Sequence, residues 1–225
     1  MCFSAEADFV GAAVVGAIGV ATLAEAHDRR DLALAALPLG FALHQAVEGV
    51  VWLGLEGHAS RTATHFALYA YLAYAWVLLP VLVPVAVWLA EPRATRRRWL
   101  GMLTVAGAVV ACYLGASMAT NHLTATIAGH TIKYGGAGAH ADTFTVLYVI
   151  ATCGAFLMSS HRRIMWFGVA NLAAVFVLVW VQAEGLTSLW CVWGALASVL
   201  VYRHFADRSR ADVVVPTEQL RARGS

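Results

Sequence analysis

Charge is what this sequence is short of. Only 12% of its 225 residues are Asp, Glu, Lys or Arg, about half the roughly 25% of an ordinary soluble domain. That deficit excludes a soluble enzyme and a disordered segment, which both present polar groups to water. The net charge of +2 leaves no surplus for a polyanion, so nucleic acid is excluded as a partner. Cysteine patterns are also missing. Cys2, Cys112, Cys153 and Cys191 form no CxxC pair and no zinc spacing. Cys112 and Cys153 read as buried small hydrophobes. Cys2 and Cys191 fall near one surface, where a disulfide between them is one option. There is no internal repeat, no low-complexity tract and no second domain.

What is present is apolar: 60% of the residues are hydrophobic. Uncharged stretches run from Phe9 to Ala24, Thr62 to Ala90, Trp99 to Ile132, Thr143 to His161, Ile164 to Ala183 and Gly185 to Tyr202. Another, Leu32 to Leu55, is broken only by Glu48. A helix crosses the hydrocarbon core with about 20 such residues. The pattern predicts an all-α polytopic membrane protein with seven transmembrane helices. They fall at 6–26, 32–55, 64–90, 99–118, 143–159, 164–183 and 186–204, making one domain over 1–205. Residues 206–225 form a polar cytoplasmic tail. Barrel strands alternate polar and apolar over about ten residues, which these continuous runs do not.

Orientation follows from the arginines. Thirteen of the 15 basic residues fall in alternate loops and the tail, and only Arg61 and Lys133 lie on the other side. The positive-inside rule then puts the N-terminus outside and the C-terminus in the cytoplasm of a bacterial inner membrane. Glu6 and Asp8 precede the first apolar run where a secretory leader would carry Lys or Arg. Helix 1 therefore reads as a retained anchor. Outer loop 119–142, with Gly135, Gly136 and Gly138, is long enough to read as a lid, the alternative being a plain connector. Gly107, Ala111, Gly115 and Ala119, like Ala12 and Gly16, are spaced for close helix approach. Pro80 and Pro84 predict a kink in helix 3. Arg96-Arg97-Arg98 reads as a topology determinant beside anionic lipid.

After the helix ends are subtracted, Glu48 remains as the one charge-capable residue well inside a span. Burying it opposes insertion by roughly 2.5–3.5 kcal/mol, which marks it as a functional candidate. It lies seven residues before Leu55, about 10 Å below the outer end at 1.5 Å per residue. His44, Glu48 and Trp52 recur every four residues and form one stripe. Other polar and aromatic groups cluster at the same depth. They are His65, Tyr69 and Trp76 in helix 3, Tyr113 and Ser117 in helix 4, and Tyr148 in helix 5. Helix 6 adds Trp180, and helix 7 adds Ser188, Trp190 and Cys191. An interfacial aromatic belt accounts for part of this. The stronger reading is an outward-opening aromatic pocket with Glu48 at its base.

The opening Met1-Cys2-Phe3-Ser4-Ala5 resembles that of an uncharacterised bacterial integral-membrane family. Its members also carry Glu-Gly-x-x-Trp in the second helix, here Glu48-Gly49-Val50-Val51-Trp52. The likeness continues at Ser159-Ser160-His161-Arg162-Arg163 and Ser188-Leu189-Trp190-Cys191. The family has Gln-Gln before its Glu motif, where this chain has His44-Gln45. No activity comes with the resemblance. A looser likeness is to integral-membrane terpene cyclases, which also place a Glu beside an aromatic in helix 2. The Asp those enzymes carry in the last helix has no counterpart among Ser188, Cys191 and Ser198.

Two functions are therefore expected to compete. One is an enzyme with Glu48 as general acid and His44 beside it, acting on an apolar lipid-like or isoprenoid substrate between aromatic walls. The other is a receptor, transporter or channel using Glu48 as a proton or cation site. Membrane lipids and one apolar small molecule are the expected partners, and no metal or cofactor is expected.

Overall fold

The computed structural model describes residues 4–182 and 197–207, and the statements below concern those residues. The chain is mostly helical, as its apolar runs require. Helix α1 spans Ala5–Ala24. Ser4 starts it by accepting the Ala7 N–H at 3.3 Å, and Glu6 and Asp8 complement the positive end of the helix dipole. Helix α2 spans Leu32–Leu55, with a turn at Ala36 before Pro38. Helix α3 spans Arg61–Ala90 and is capped by Ser60, which accepts from Ala63 N–H at 3.2 Å. Its middle, Ala73–Leu78, is a π-helical turn. Pro80 follows and cannot donate to the carbonyl four residues back, and the wider turn takes up that break.

Helix α4 spans Ala94–Thr120. Two short strands follow, β1 Thr124–Ala128 and β2 Thr131–Gly135. Helix α5 spans Ala141–Leu157 and α6 spans Arg162–Gln182. Residues 197–207 are helical and are called α7. Helices α1 to α4 are each long and apolar enough to cross a membrane, and α5 is a shorter apolar helix. Large apolar side chains such as Val10, Phe66 and Phe176 face outward, the surface that lipid contact needs.

Glycines set the close contacts. Helix α1 runs antiparallel along α2, with Gly11 against Gln45, Gly16 against Ala42, Gly19 against Leu39, and Phe9 against Gly49. On α4, Gly107 lies on the Pro80 carbonyl and Gly115 on Val77. The expected small-residue stripe thus packs through Gly107, Ala111 and Gly115, while Ala119 is exposed. One expectation is corrected here. Cys112 is exposed, because it sits on the face of α4 turned away from α3; Cys153 is buried.

The arginine-rich end of the bundle is held by a polar latch. Glu91 is 2% exposed. Its Oε1 accepts from the Arg93 N–H at 3.1 Å and from the Ser160 hydroxyl. Its Oε2 accepts from the Ser160 N–H at 2.7 Å. Arg96 donates to the Met158 and Ser159 carbonyls at 3.0 and 2.6 Å. Arg163 pairs with Asp207 at 2.6 Å, tying α6 to α7. The Ser159-to-Arg163 motif therefore ties the α5–α6 connection to the α3–α4 connection and to α7. Burial pushes the Glu91 carboxyl up, but the two Ser160 bonds, the Arg93 N–H and the His161 ring together outweigh it and hold it below its ordinary value. A depressed carboxyl stabilises the fold above its unfolded value, and that support is lost as pH falls through the folded value. Glu91→Gln is expected to lower unfolding stability at pH 7 by about 2 kcal/mol. Thermal unfolding in detergent should show this gap closing in acid.

Candidate functional site

The helical spacing of α2 puts His44, Glu48 and Trp52 on one face, and all three are buried, with Glu48 at 0% exposure. The group above them comes from the loop between α4 and α5. Strands β1 and β2 pair antiparallel with Ala128 opposite Thr131, leaving Gly129 and His130 as a two-residue turn. Gly129 adopts a φ of 64°, the left-handed region such tight hairpins demand. Alternation along β2 then sends Ile132 and Tyr134 to one face. Ile132 packs with Ala5, Val51, Trp52 and Ala67. The Tyr134 hydroxyl donates to Glu48 Oε1 at 3.1 Å. The loop expected to be a lid is thus a hairpin lying against the buried carboxyl.

Rings stack beneath the hairpin. Tyr134 lies 4.7 Å from Tyr71, Tyr71 lies 4.0 Å from His44, and His44 lies 4.7 Å from Tyr74. Three polar atoms in this region are buried without a hydrogen-bond partner among the described residues: His44 Nδ1, Gln45 Nε2 and Trp52 Nε1. Native interiors satisfy most such groups, and all three belong to α2 residues within one turn of Glu48. Among the described residues no three His, Cys, Asp or Glu side chains converge as metal ligands.

The other expected site residues separate into groups. Tyr113 and Ser117 meet the return segment of the loop. The Tyr113 hydroxyl accepts the His140 N–H at 3.0 Å, and both hydroxyls contact Gly138. With Asn121, which donates to the Gly136 carbonyl at 3.2 Å, they anchor the hairpin rather than line a space below it. Tyr69 and Trp76 pack in the cluster of Tyr71, Met118 and Tyr134. His65 is exposed, against the Tyr69 ring at 4.5 Å. Tyr148 lies beyond the inner end of the stack, in the cluster of Tyr74 and Phe41, lining a cavity of about 30 Å³ with Phe41, Thr152, Cys153 and Asn171, room for about one or two waters. The Trp180 side chain, Ser188, Trp190 and Cys191 lie outside the described residues, as does Cys2.

Tyr71, Tyr134 and Asp8 were not anticipated from the sequence. Asp8 is 0% exposed on the face of α1 that also buries Gly11, Val15, Gly19 and Thr22. That spacing of three and four residues was the available signal. Tyr134→Phe removes the phenol donor and nothing else. Amide exchange over Thr131–Gly135 is expected to quicken about tenfold, the equivalent of one hydrogen bond. Hydrogen–deuterium exchange on the purified protein measures it, and unchanged exchange would remove the hairpin–Glu48 tie.

With this geometry in view, comparison with known proteins places the chain. It belongs to a family of unknown function (DUF6629), whose sequence model matches residues 1–215. No curated protein and no solved structure matches it.

Proposed function

We propose that this family member is a membrane-embedded acid–base enzyme acting on an apolar, lipid-like or isoprenoid substrate. Glu48 is its general acid, His44 its neighbouring proton partner, and the β1–β2 hairpin its lid. The carrying observation is the bond from Tyr134 to a completely buried Glu48. A carboxyl sealed from water transfers protons inside a dry site, where charge stabilisation is strongest. The stacked rings of Tyr134, Tyr71 and His44 form an aromatic wall beside it, and Tyr134, at the end of the stack, would offer π surface to a developing cation.

The proposed topology is seven spans, N-terminus outside and tail in the cytoplasm of a bacterial inner membrane. It is supported by the four membrane-length helices and the thirteen-to-two arginine and lysine split. Substrate then enters from the outer side or the outer leaflet once the hairpin lifts. The second reading is a proton- or cation-coupled receptor or transporter, favoured by the ring stack that leads inward from Tyr134 to Tyr74.

The test is turnover by the purified full chain in lipid nanodiscs. Geraniol-type alcohols, geranylgeraniol, squalene and phosphatidylglycerol are the probes, with products read by mass spectrometry. Conversion of one probe by wild type and not by Glu48→Gln supports the enzyme. Unaltered conversion in the variant removes it. A pH-dependent vesicle flux that disappears with Glu48 moves the assignment to transport.

A further inference from the structure

We propose that Asp8 is a second proton-carrying group of this site, paired with Glu48 across the seam between α1 and α2. This deepens the enzymatic reading and rests on it for its chemistry. The pairing follows from helix register. Phe9 meets Gly49 and Gly11 meets Gln45. Asp8 is one turn from Gly11 on the same face of α1, and Glu48 is one turn from Gln45 on the same face of α2. The antiparallel contacts therefore set Asp8 level with Glu48, and both carboxyls are 0% exposed.

A second observation points to a ligand between them. Gln45 is 2% exposed and its Nε2 has no hydrogen-bond partner among the described residues. That amide reaches across the seam, and a side chain on Gly11 would collide with it. Trp52 Nε1, one turn along α2 on the other side of Glu48, is buried and without a hydrogen-bond partner among the described residues as well. Two donors thus flank the carboxyl pair. The titratable groups facing it are His44 from α2, Tyr71 from α3 and Tyr134 from the hairpin.

Two carboxyls in one dry site divide naturally into an acid and a base. Glu48 gives its proton to a carbon of a substrate double bond, leaving a cation. The Asp8 carboxylate removes a proton from a neighbouring carbon, and a double bond re-forms. The proton then passes from Asp8 back to Glu48. Nothing is oxidised or reduced and no water is consumed. The reaction class is a proton-neutral rearrangement: a double-bond shift or a ring closure in an unsaturated hydrocarbon chain. The flanking Gln45 and Trp52 donors would hold an oxygen on that chain.

The test uses the full chain in nanodiscs, labelled in separate preparations with carboxyl-¹³C aspartate and carboxyl-¹³C glutamate, read by isotope-edited infrared spectroscopy. Glu48→Gln is expected to shift the Asp8 carboxyl band, and Asp8→Asn to shift the Glu48 band. On whichever probe wild type converts, Asp8→Asn is expected to lose about 100-fold or more in turnover. The Glu48→Gln spectrum leaves Asp8 intact, so the reading survives a poorly folding Asp8 variant. An Asp8 band that stays in place in Glu48→Gln overturns the pairing. Turnover lost in Glu48→Gln with unshifted bands removes the pair and keeps the enzyme. Shifted bands with no probe converted keep the pair and remove the enzyme.

Discussion

Glu48→Gln is expected to abolish turnover, by about 100- to 10,000-fold, the span that one positioned acid–base group contributes. The substitution keeps the shape and volume of the side chain. It keeps an oxygen for the Tyr134 hydroxyl, now at 3.1 Å from Oε1. It removes the transferable proton alone. Stability should therefore hold, since Gln fills the same fully buried space and keeps the hydrogen-bond acceptor. The informative result is the combination: lost conversion with an unfolding midpoint equal to that of wild type. Lost conversion with a collapsed midpoint would report damage instead, and retained conversion would end the general-acid assignment. Substrate concentration should be varied, because an effect confined to KM would mean that Glu48 binds without transferring a proton.

Gly107→Ala is expected to be the most disruptive Gly→Ala change among the described glycines. A Cβ at Gly107 would lie 1.8 Å from the Pro80 carbonyl oxygen and 2.7 Å from its carbon. Those are backbone atoms and cannot rotate aside, so α3 and α4 must separate. Overpacking of this kind costs about 3 kcal/mol, and Gly107→Val should cost more. Gly101 on the same helix is the control, since a Cβ there meets nothing within 4 Å. Gly101→Ala should gain up to about 1 kcal/mol from helix propensity. Unfolding in mixed micelles, or a thermal scan in detergent, ranks the two. Equal midpoints would mean that the α3–α4 contact is dispensable.

The two predictions draw on different levels of information. Gly107 belongs to a small-residue spacing that is visible along the chain, but its partner, the Pro80 carbonyl, lies 27 residues away and is not. Glu48 stands out by itself, because a carboxyl inside an apolar run has no cheap explanation. The residues around it are a different matter. Periodicity suggested Tyr69 and Trp76 as pocket walls, yet the ring nearest His44 is Tyr71. In water an amphipathic helix declares its buried face. Here lipid and core are equally apolar, so nothing along α3 distinguishes the two sides. The π turn at Ala73–Leu78 shifts the phase further. Asp8 was hidden for a related reason: a charge near a helix start reads as a flank until packing shows that it is covered.

The hairpin was half legible. Length and glycines marked 119–142 as a lid or a plain connector, and Ile132 and Tyr134 alternate as strand residues do. Ten residues of weak alternation between long helices carried too little signal to name a sheet. Only the fold shows which side of β2 faces inward.

By itself the sequence determined the helical class, the run lengths, the membrane character of at least four helices and the isolation of Glu48. These depend on burying backbone polar groups in an apolar solvent, a demand each segment meets locally. Tertiary structure alone decided that Tyr134 closes over Glu48, that Tyr71 and Tyr74 stack with His44, that Asp8 sits level with Glu48, and that Glu91 latches the far end. Those are meetings between segments distant in the chain, and they are set by side-chain shape and helix register, which no single stretch of sequence contains.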